Sequence, residues 1–180
     1  AVFRMLSEGN TAGVFQMESS GMTGVCIGLR PKNIEDITAV ISLYRPGPME
    51  SIPRYIRGKE DPSTVKYITP ELKPILDVTY GCMVYQEQVM EIVRSLAGYS
   101  YGRSDLVRRA MSKKKMDVLL SEREIFIHGS EEEGISGCVS KGVPMDVANK
   151  IFDEMIDFAN YAFNKAHALA YAVLSYQTAY

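Results

Sequence analysis

The sequence lacks the features of an exported or membrane-embedded protein. No hydrophobic run is long enough to cross a bilayer, and Ala1 to Arg4 form no charged-then-apolar leader. We therefore expect a cytoplasmic protein with no membrane partner. The three cysteines, Cys26, Cys82 and Cys138, are separated by more than fifty residues each time. This spacing fits neither a disulfide framework nor a zinc ribbon, and it predicts reduced thiols.

Signatures of a self-contained enzyme are also missing. The chain has two histidines, His128 and His167, and no Gly-x-Ser-x-Gly string, so a hydrolase triad is not indicated. It has neither a Gly-x-x-x-x-Gly-Lys-Ser/Thr nor a Gly-x-Gly-x-x-Gly nucleotide motif. Two-metal nucleotidyl transfer needs converging carboxylates, yet there is no Asp-x-Asp, and Asp153 and Asp157 lie opposite an apolar stripe. We expect no catalytic residue and no metal ligand in this chain.

What the sequence does contain is a short stretch of concentrated positive charge. Six cations face one anion, Asp105, in a chain of net charge -2; they are Arg103, Arg108, Arg109, Lys113, Lys114 and Lys115. On a helix that starts near Ser104, an apolar arc of Leu106, Val107, Ala110 and Met111 opposes the arc that carries both arginines and Lys113. The vicinal arginines can hold a triphosphate through several charge-assisted hydrogen bonds. The alternative is a solvated basic face, which is common on exposed helices.

The hydrophobic pattern predicts a mainly α fold, an irregular helical domain with a few short strands and long loops. Helices are expected over 32–42, 86–97 and 118–128, and two more begin at Pro144 and after Asn164. A brief strand is expected over 83–85, and 129–143, rich in Gly, Ser and Glu, is predicted to be a flexible loop.

A second set of polar candidates lies outside the basic helix. Lys165 and His167 follow the predicted cap Asn164, where free backbone N–H groups and the helix dipole favour an anion. Packing of His167 against Tyr171 is an equally good interpretation from spacing alone. Arg45 lies on a loop stiffened by a Pro-Gly-Pro string. Weaker candidates are the aromatics Tyr161, Phe163 and Tyr171, which are more often core residues than base-stacking ones, and the glutamines Gln86 and Gln88.

Several strings, taken in order, resemble the C family of bacterial replicative DNA polymerases, the alpha subunits of DNA polymerase III. The matching strings are Gly13-Val14-Phe15-Gln16-Met17-Glu18-Ser19, Tyr44-Arg45-Pro46-Gly47-Pro48, Thr79-Tyr80-Gly81 with Tyr85-Gln86-Glu87-Gln88-Val89-Met90, Arg108-Arg109-Ala110-Met111 with Lys113-Lys114, and Ala162-Phe163-Asn164-Lys165-Ala166-His167 with Ser175-Tyr176-Gln177-Thr178. They cover almost the whole chain. One departure is Ala166, where many relatives carry serine, so a hydroxyl role at that position is in doubt.

The resemblance implies that residues 1–180 are a fingers domain, clipped at both ends, of a DNA-directed DNA polymerase. It implies that Arg108 and Arg109 bind the triphosphate of the incoming dNTP with help from Lys113, and that Lys165 and His167 line the nucleotide or template side. The remaining basic candidates, which we expect to contact DNA, are Arg45, Arg103, Lys114 and Lys115. The catalytic aspartates and their Mg²⁺ would belong to the palm domain outside this fragment, which alone is expected to be inactive.

The expected partners follow from the same resemblance. They are primer-template DNA, dNTP, the palm and other domains of the same chain, and, through the full-length protein, a sliding clamp and further replisome subunits. The main alternative is a non-catalytic nucleic-acid-binding or interaction module that uses the basic helix. A purely structural helical scaffold is a third alternative.

Overall fold

The computed structural model describes residues 1–113 and 115–180, and the mainly α prediction is confirmed. Within these residues the α-helices are α1 (Val2–Ser7), α2 (Ser20–Leu29), α3 (Ile34–Leu43), α4 (Ile52–Glu60), α5 (Lys73–Leu76), α6 (Gln86–Ala97), α7 (Tyr101–Ser112), α8 (Met116–His128), α9 (Met145–Ala159) and α10 (Lys165–Thr178). Single turns of 3-10 helix cover Pro48–Ser51, Pro62–Thr64, Pro70–Leu72, Asp77–Thr79 and Val139–Lys141. No helix of the described chain is both long and apolar enough to pass through a bilayer.

The chain divides into two compact units. Unit 1 consists of Ala1–Val65 and Phe163–Tyr180, and unit 2 of Lys66–Ala162. In unit 1, α10 packs on α3, which is buried from Asp36 to Leu43. Asn33 caps α3 by accepting a hydrogen bond from the Asp36 N–H at 2.8 Å, as the sequence predicts.

Unit 2 is built around one hydrophobic core to which α6, α7, α8 and α9 all contribute. The rings of Phe126 on α8 and Phe152 on α9 lie at its centre, 5.5 Å apart and fully buried. Helix α6 has the bounds that its periodicity predicts, and α9 begins directly after Pro144. None of the three cysteines of the chain forms a disulfide, and burial raises the pKa of Cys26 to about 11 and that of Cys138 to about 12.

The basic helix α7 differs from its prediction in two respects. It begins three residues earlier than expected, because Ser100 caps it by accepting a hydrogen bond from the Arg103 N–H at 3.2 Å. Its buried face contains Val107, Ala110 and Met111 but not Leu106, which is 56% exposed. Ser104 is buried instead, since its hydroxyl is satisfied by the Tyr101 carbonyl at 2.7 Å.

The predicted strand at 83–85 is wrong. Met83 and Val84 belong to no strand and Tyr85 is a single bridge residue. The N–H groups of Val84 and Tyr85 donate to the side-chain oxygen of Gln88, at 2.9 and 3.0 Å. The Gln88 amide nitrogen donates to Thr79 Oγ1 at 2.8 Å, so this buried glutamine is bonded at both ends. A side chain from α6 thus holds the segment that leads into the helix.

The segment 129–143 packs onto unit 2. Ile135, Cys138 and Val143 are buried in its core, and Ser130 and Ile135 form an antiparallel bridge. The Cys138 N–H donates to the Phe126 carbonyl at 2.8 Å. Contacts of this kind restrict the motion of a loop. The flexibility of the segment stays a prediction.

Candidate anion-binding site

The centre of the candidate site in unit 2 is a carboxylate shared by two arginines. Asp105 Oδ1 accepts from Arg108 Nε at 2.8 Å and lies 2.7 Å from Arg108 Nη2, while Asp105 Oδ2 lies 2.7 Å from Arg109 Nε. The spacing i, i+3 and i, i+4 puts all three side chains on one face of α7. Asp105, the one anion of the basic stretch, therefore holds Arg108 and Arg109, the two arginines predicted to bind phosphate.

Gln86 provides a further contact to this pair. Its side-chain oxygen accepts from Arg108 Nη1 at 3.2 Å, and its amide nitrogen donates to the Ala162 carbonyl at 3.4 Å. Sequence reasoning named Gln86 only as a weak polar candidate. The structure thus orients Arg108 from two helices, α6 and α7.

The electrostatic balance at this site favours an anion. The hydrogen bond from Arg108 is the main cause that lowers the pKa of the Asp105 carboxyl, and the charges of Arg108 and Arg109 act in the same direction. One carboxylate cannot neutralise two guanidiniums, so a positive charge remains. Arg109 is 62% exposed and Arg108 26% exposed, so solvent reaches both side chains.

Arg103 has a different environment from the pair. Its guanidinium contacts Glu122 at 2.6 Å and Glu133 at 2.9 Å. Burial raises the pKa of the Glu122 carboxyl, whereas the Arg103 charge lowers it, and Tyr99 donates a hydrogen bond to the same carboxylate at 3.0 Å. Arg103 is therefore already engaged inside unit 2, and its assignment to DNA stays a prediction.

The lysines of the basic stretch lie at and beyond the end of α7. Lys113 follows its last residue, and Lys113 and Lys115 are both exposed. Lys114, predicted to bind DNA, lies outside the described residues. The exposed lysines can meet a polyanion without breaking an ion pair within the described part of unit 2.

Unit 1 holds the second set of candidates. Asn164 caps α10 by accepting from the His167 N–H at 2.8 Å, and Lys165 pairs with Glu35 at 3.1 Å. The His167 ring lies 4.2 Å from the Tyr171 ring and 5.6 Å from the Phe163 ring, measured between centroids. The predicted packing of His167 against Tyr171 is therefore present in the structure.

A hollow of about 450 Å³ in unit 1 was missed by sequence reasoning. Arg45 forms one wall: its guanidinium lies 4.1 Å above the Phe163 ring and its Nε donates to the Ser42 carbonyl at 3.1 Å. Burial lowers the pKa of Arg45. Other polar and aromatic residues lining the hollow are Gln16, Glu18, Tyr44 and Tyr171. These residues come from four separate parts of the sequence, so no local motif could have indicated the hollow.

The described residues offer no cluster of carboxylates for Mg²⁺. In 1–113 and 115–180, no three His, Cys, Asp or Glu side chains gather closely enough to hold a metal. Asp153, which the sequence places opposite an apolar stripe, forms an ion pair with Arg123.

The fold and the arginine pair define a helical module with a cationic site suited to anions. Comparison with known protein families shows which family this chain is part of. Residues 1–134 match the bacterial DNA polymerase III alpha subunit finger domain, and the chain belongs to that family. The family resemblance drawn from the sequence strings is thereby confirmed.

The relatives of this chain are much longer proteins. It is 53% identical over 183 residues to the DNA polymerase III subunit alpha of Thermus aquaticus, covering 99% of this chain and 14% of that protein. It is 49% identical to the proteins of the same name from Halalkalibacterium halodurans and Staphylococcus aureus strain Mu50, covering 99% and 97% of this chain and 15% and 16% of theirs. The chain thus spans about one seventh of the length of these relatives.

Proposed function

We propose that this chain is the fingers part of a bacterial replicative DNA polymerase. In that role it binds the triphosphate of the incoming dNTP and helps to position template DNA for template-directed nucleotidyl transfer. The observation that carries the proposal is the arginine pair on α7, held by one carboxylate and accessible to solvent. Membership of the finger-domain family supports it.

The chemistry proposed for the pair is electrostatic. Phosphoryl transfer spreads negative charge over the phosphate oxygens, and fixed cations that meet this charge stabilise it. Two adjacent guanidiniums offer several donors to non-bridging oxygens, and Lys113 adds a mobile charge nearby. The part of this chain is to bind and orient the nucleotide. The catalytic carboxylates and Mg²⁺ are proposed to belong to the palm of the full-length protein.

The remaining basic residues are proposed to contact nucleic acid, with one exception. Arg45, Lys114 and Lys115 are proposed DNA contacts, and Lys165 and His167 are proposed to line the nucleotide or template side. Arg103 is the exception: its DNA contact stays a prediction, because two carboxylates already occupy its guanidinium. For the full-length protein we propose a cytoplasmic location and, as partners, primer-template DNA, its own palm and other domains, a sliding clamp and other replisome subunits.

The test uses the full-length polymerase with the substitutions Arg108→Ala, Arg109→Ala and both together. Hydrogen bonds to charged groups contribute about 1.5–3 kcal/mol, so each single change should raise KM for dNTP about tenfold or more. Arg94→Ala is the control, because Arg94 lies on α6 in the same unit and contacts Glu91 at 2.8 Å and the Tyr101 ring at 5.6 Å, outside the cluster of Asp105, Arg108 and Arg109. Its KM should stay within about twofold of wild type.

The double variant decides between nucleotide binding and simple contact with the DNA backbone. If the arginines bind only DNA, KM for dNTP at saturating primer-template stays unchanged, while affinity for DNA falls and depends less steeply on salt. That outcome would contradict the proposal.

A further inference from the structure

We infer that Asp105 is a positioning residue, which fixes the two arginines in the orientation that a triphosphate requires. This inference rests on the proposed function of the pair. Its basis is that each carboxylate oxygen is assigned to a different arginine: Oδ1 to Arg108 and Oδ2 to Arg109. Asp105 is therefore a bridge between the two guanidiniums and not the partner of one.

The bridge leaves defined donors on each arginine. Arg108 has five N–H donors, and its three described contacts go to Asp105 through Nε and Nη2 and to Gln86 through Nη1. One N–H therefore remains on each of its terminal nitrogens. Arg109 uses Nε on Asp105, and its two terminal amino groups have no partner among the described residues. Phosphate oxygens can bind these terminal donors while the carboxylate stays in place.

A positioning role and simple charge repulsion predict opposite changes in KM for dNTP when the Asp105 carboxylate is neutralised. If Asp105 only repels phosphate, its neutralisation improves nucleotide binding, because one negative charge beside the site disappears. If it positions the pair, its neutralisation weakens binding, because two long side chains regain rotamer freedom that the nucleotide must then restrict. The direction of the change in KM therefore distinguishes the two.

The chemistry of the replacement side chain sharpens the test. Asparagine has one acceptor oxygen and one donor nitrogen, so Asp105→Asn can accept from one arginine and must release the other. Asp105→Glu keeps both oxygens and still reaches residues three and four positions ahead on a helix. Loss of function in the Asn variant with recovery in the Glu variant shows that the charged carboxylate is required. Amide exchange of α7 that is unchanged in the Asn variant then separates positioning from loss of helix stability.

The experiment measures steady-state kinetics of the full-length polymerase with dNTP as the varied substrate. We expect Asp105→Asn to raise KM about fivefold, with kcat within about twofold of wild type, and Asp105→Glu to recover at least half of that loss. Asp146→Asn is the matched control, since it removes one exposed carboxylate from the first turn of α9 in the same unit. An unchanged or lower KM for Asp105→Asn, or a loss confined to kcat, would overturn the inference.

A second comparison separates this inference from the proposed function. In the Arg108→Ala/Arg109→Ala background, Asp105→Asn should cause no further rise in KM, because the groups that it positions are gone. If the double arginine variant itself leaves KM unchanged, the proposed function fails. If it raises KM while Asp105→Asn alone does not, only the positioning role fails.

Discussion

The phenol ring of Tyr44 lies against the backbone of Gly21. A Cβ built on residue 21 would stand 1.6 Å from the Tyr44 hydroxyl oxygen and 2.3 Å from the adjoining ring carbon. Tyr44 is one wall of the hollow in unit 1, so the absence of a side chain at Gly21 allows that wall to take its position.

Gly21→Ala is therefore expected to destabilise α2 and displace Tyr44. Alanine normally stabilises a helix interior by about 0.5–1 kcal/mol relative to glycine, but overpacking costs about 1–3 kcal/mol. Hydrogen–deuterium exchange of the α2 amides in the full-length protein should become faster. Gly24→Ala is the control on the same helix, because no atom lies within 4 Å of its Cβ, and exchange there should slow. Slower exchange in both variants would contradict the predicted clash.

The ion pair between Asp36 on α3 and Lys59 on α4 gives a second prediction. Their charged atoms are 2.5 Å apart, with side chains only 6% and 10% exposed. Lys59→Met leaves a buried carboxylate with no ion-pair partner, although the Lys32 N–H still donates to it at 2.7 Å, and should cost about 3 kcal/mol; Asp36→Asn combined with Lys59→Met should cost less. Urea titration followed by amide exchange of α3 measures both changes. The control is Arg4→Met in the exposed Arg4–Glu8 pair, expected to cost under about 1 kcal/mol.

The fold was predictable where local signals agree. The bounds of α6 follow from its apolar spacing, and the caps Asn33 and Asn164 were identified from residue type alone. The prediction failed at 83–85, because an apolar run cannot reveal that its N–H groups are bonded by the Gln88 side chain.

The candidate site was predictable only in part. The arginine pair follows from charge and helical spacing, and the same i, i+3 and i, i+4 rule could have assigned Asp105 to it. The engagement of Arg103 could not be predicted, since Glu122 and Glu133 are brought to it by the packing of distant segments. The hollow around Arg45 depends on tertiary structure in the same way.

Two glycines close the loop of segment 129–143 and provide a third prediction. A Cβ on Gly129 would lie 2.5 Å from the carbonyl oxygens of Ile135 and Ser136, and one on Gly137 would lie 2.3 Å from the Gly129 nitrogen. Both residues also have positive φ, 86° and 78°. Gly129→Ala and Gly137→Ala should therefore open the loop, at a cost of about 3 kcal/mol or more for backbone clashes combined with strain.

Gly134→Ala is the matched control for this loop. Gly134 has a similar φ of 66°, but nothing lies within 4 Å of its Cβ, so only the conformational cost of about 1 kcal/mol applies. Amide exchange over 129–143 in the full-length protein measures the difference. If the segment already exchanges as fast as an unfolded peptide in the wild-type protein, the packed loop is contradicted and the predicted flexibility is confirmed.

The buried Glu122 carboxylate predicts a pH dependence of stability. Burial raises its pKa above the usual 4.5, although Arg103 partly opposes the shift. A raised pKa means that the folded state keeps the proton at a pH where the unfolded chain has released it. The contribution of Glu122 to stability is therefore fully present below about pH 4.5 and is lost as pH rises through the folded pKa.

Glu122→Gln removes this titration and supplies the test. The difference in free energy of unfolding between variant and wild type should shift in favour of the variant as pH rises from 4.5, and become constant once Glu122 is fully ionised in the folded protein. At high pH this difference in free energy also includes the cost of losing the ion pair with Arg103. The prediction therefore concerns how the difference changes with pH and not its size at high pH. Urea titrations followed by α8 amide exchange at several pH values measure this change. Glu124→Gln, which changes an exposed side chain on the same helix that lies 3.9 Å from His128, should give only the weak pH dependence of an exposed pair. A shift in the opposite direction would mean that Arg103, and not burial, controls the ionisation of Glu122.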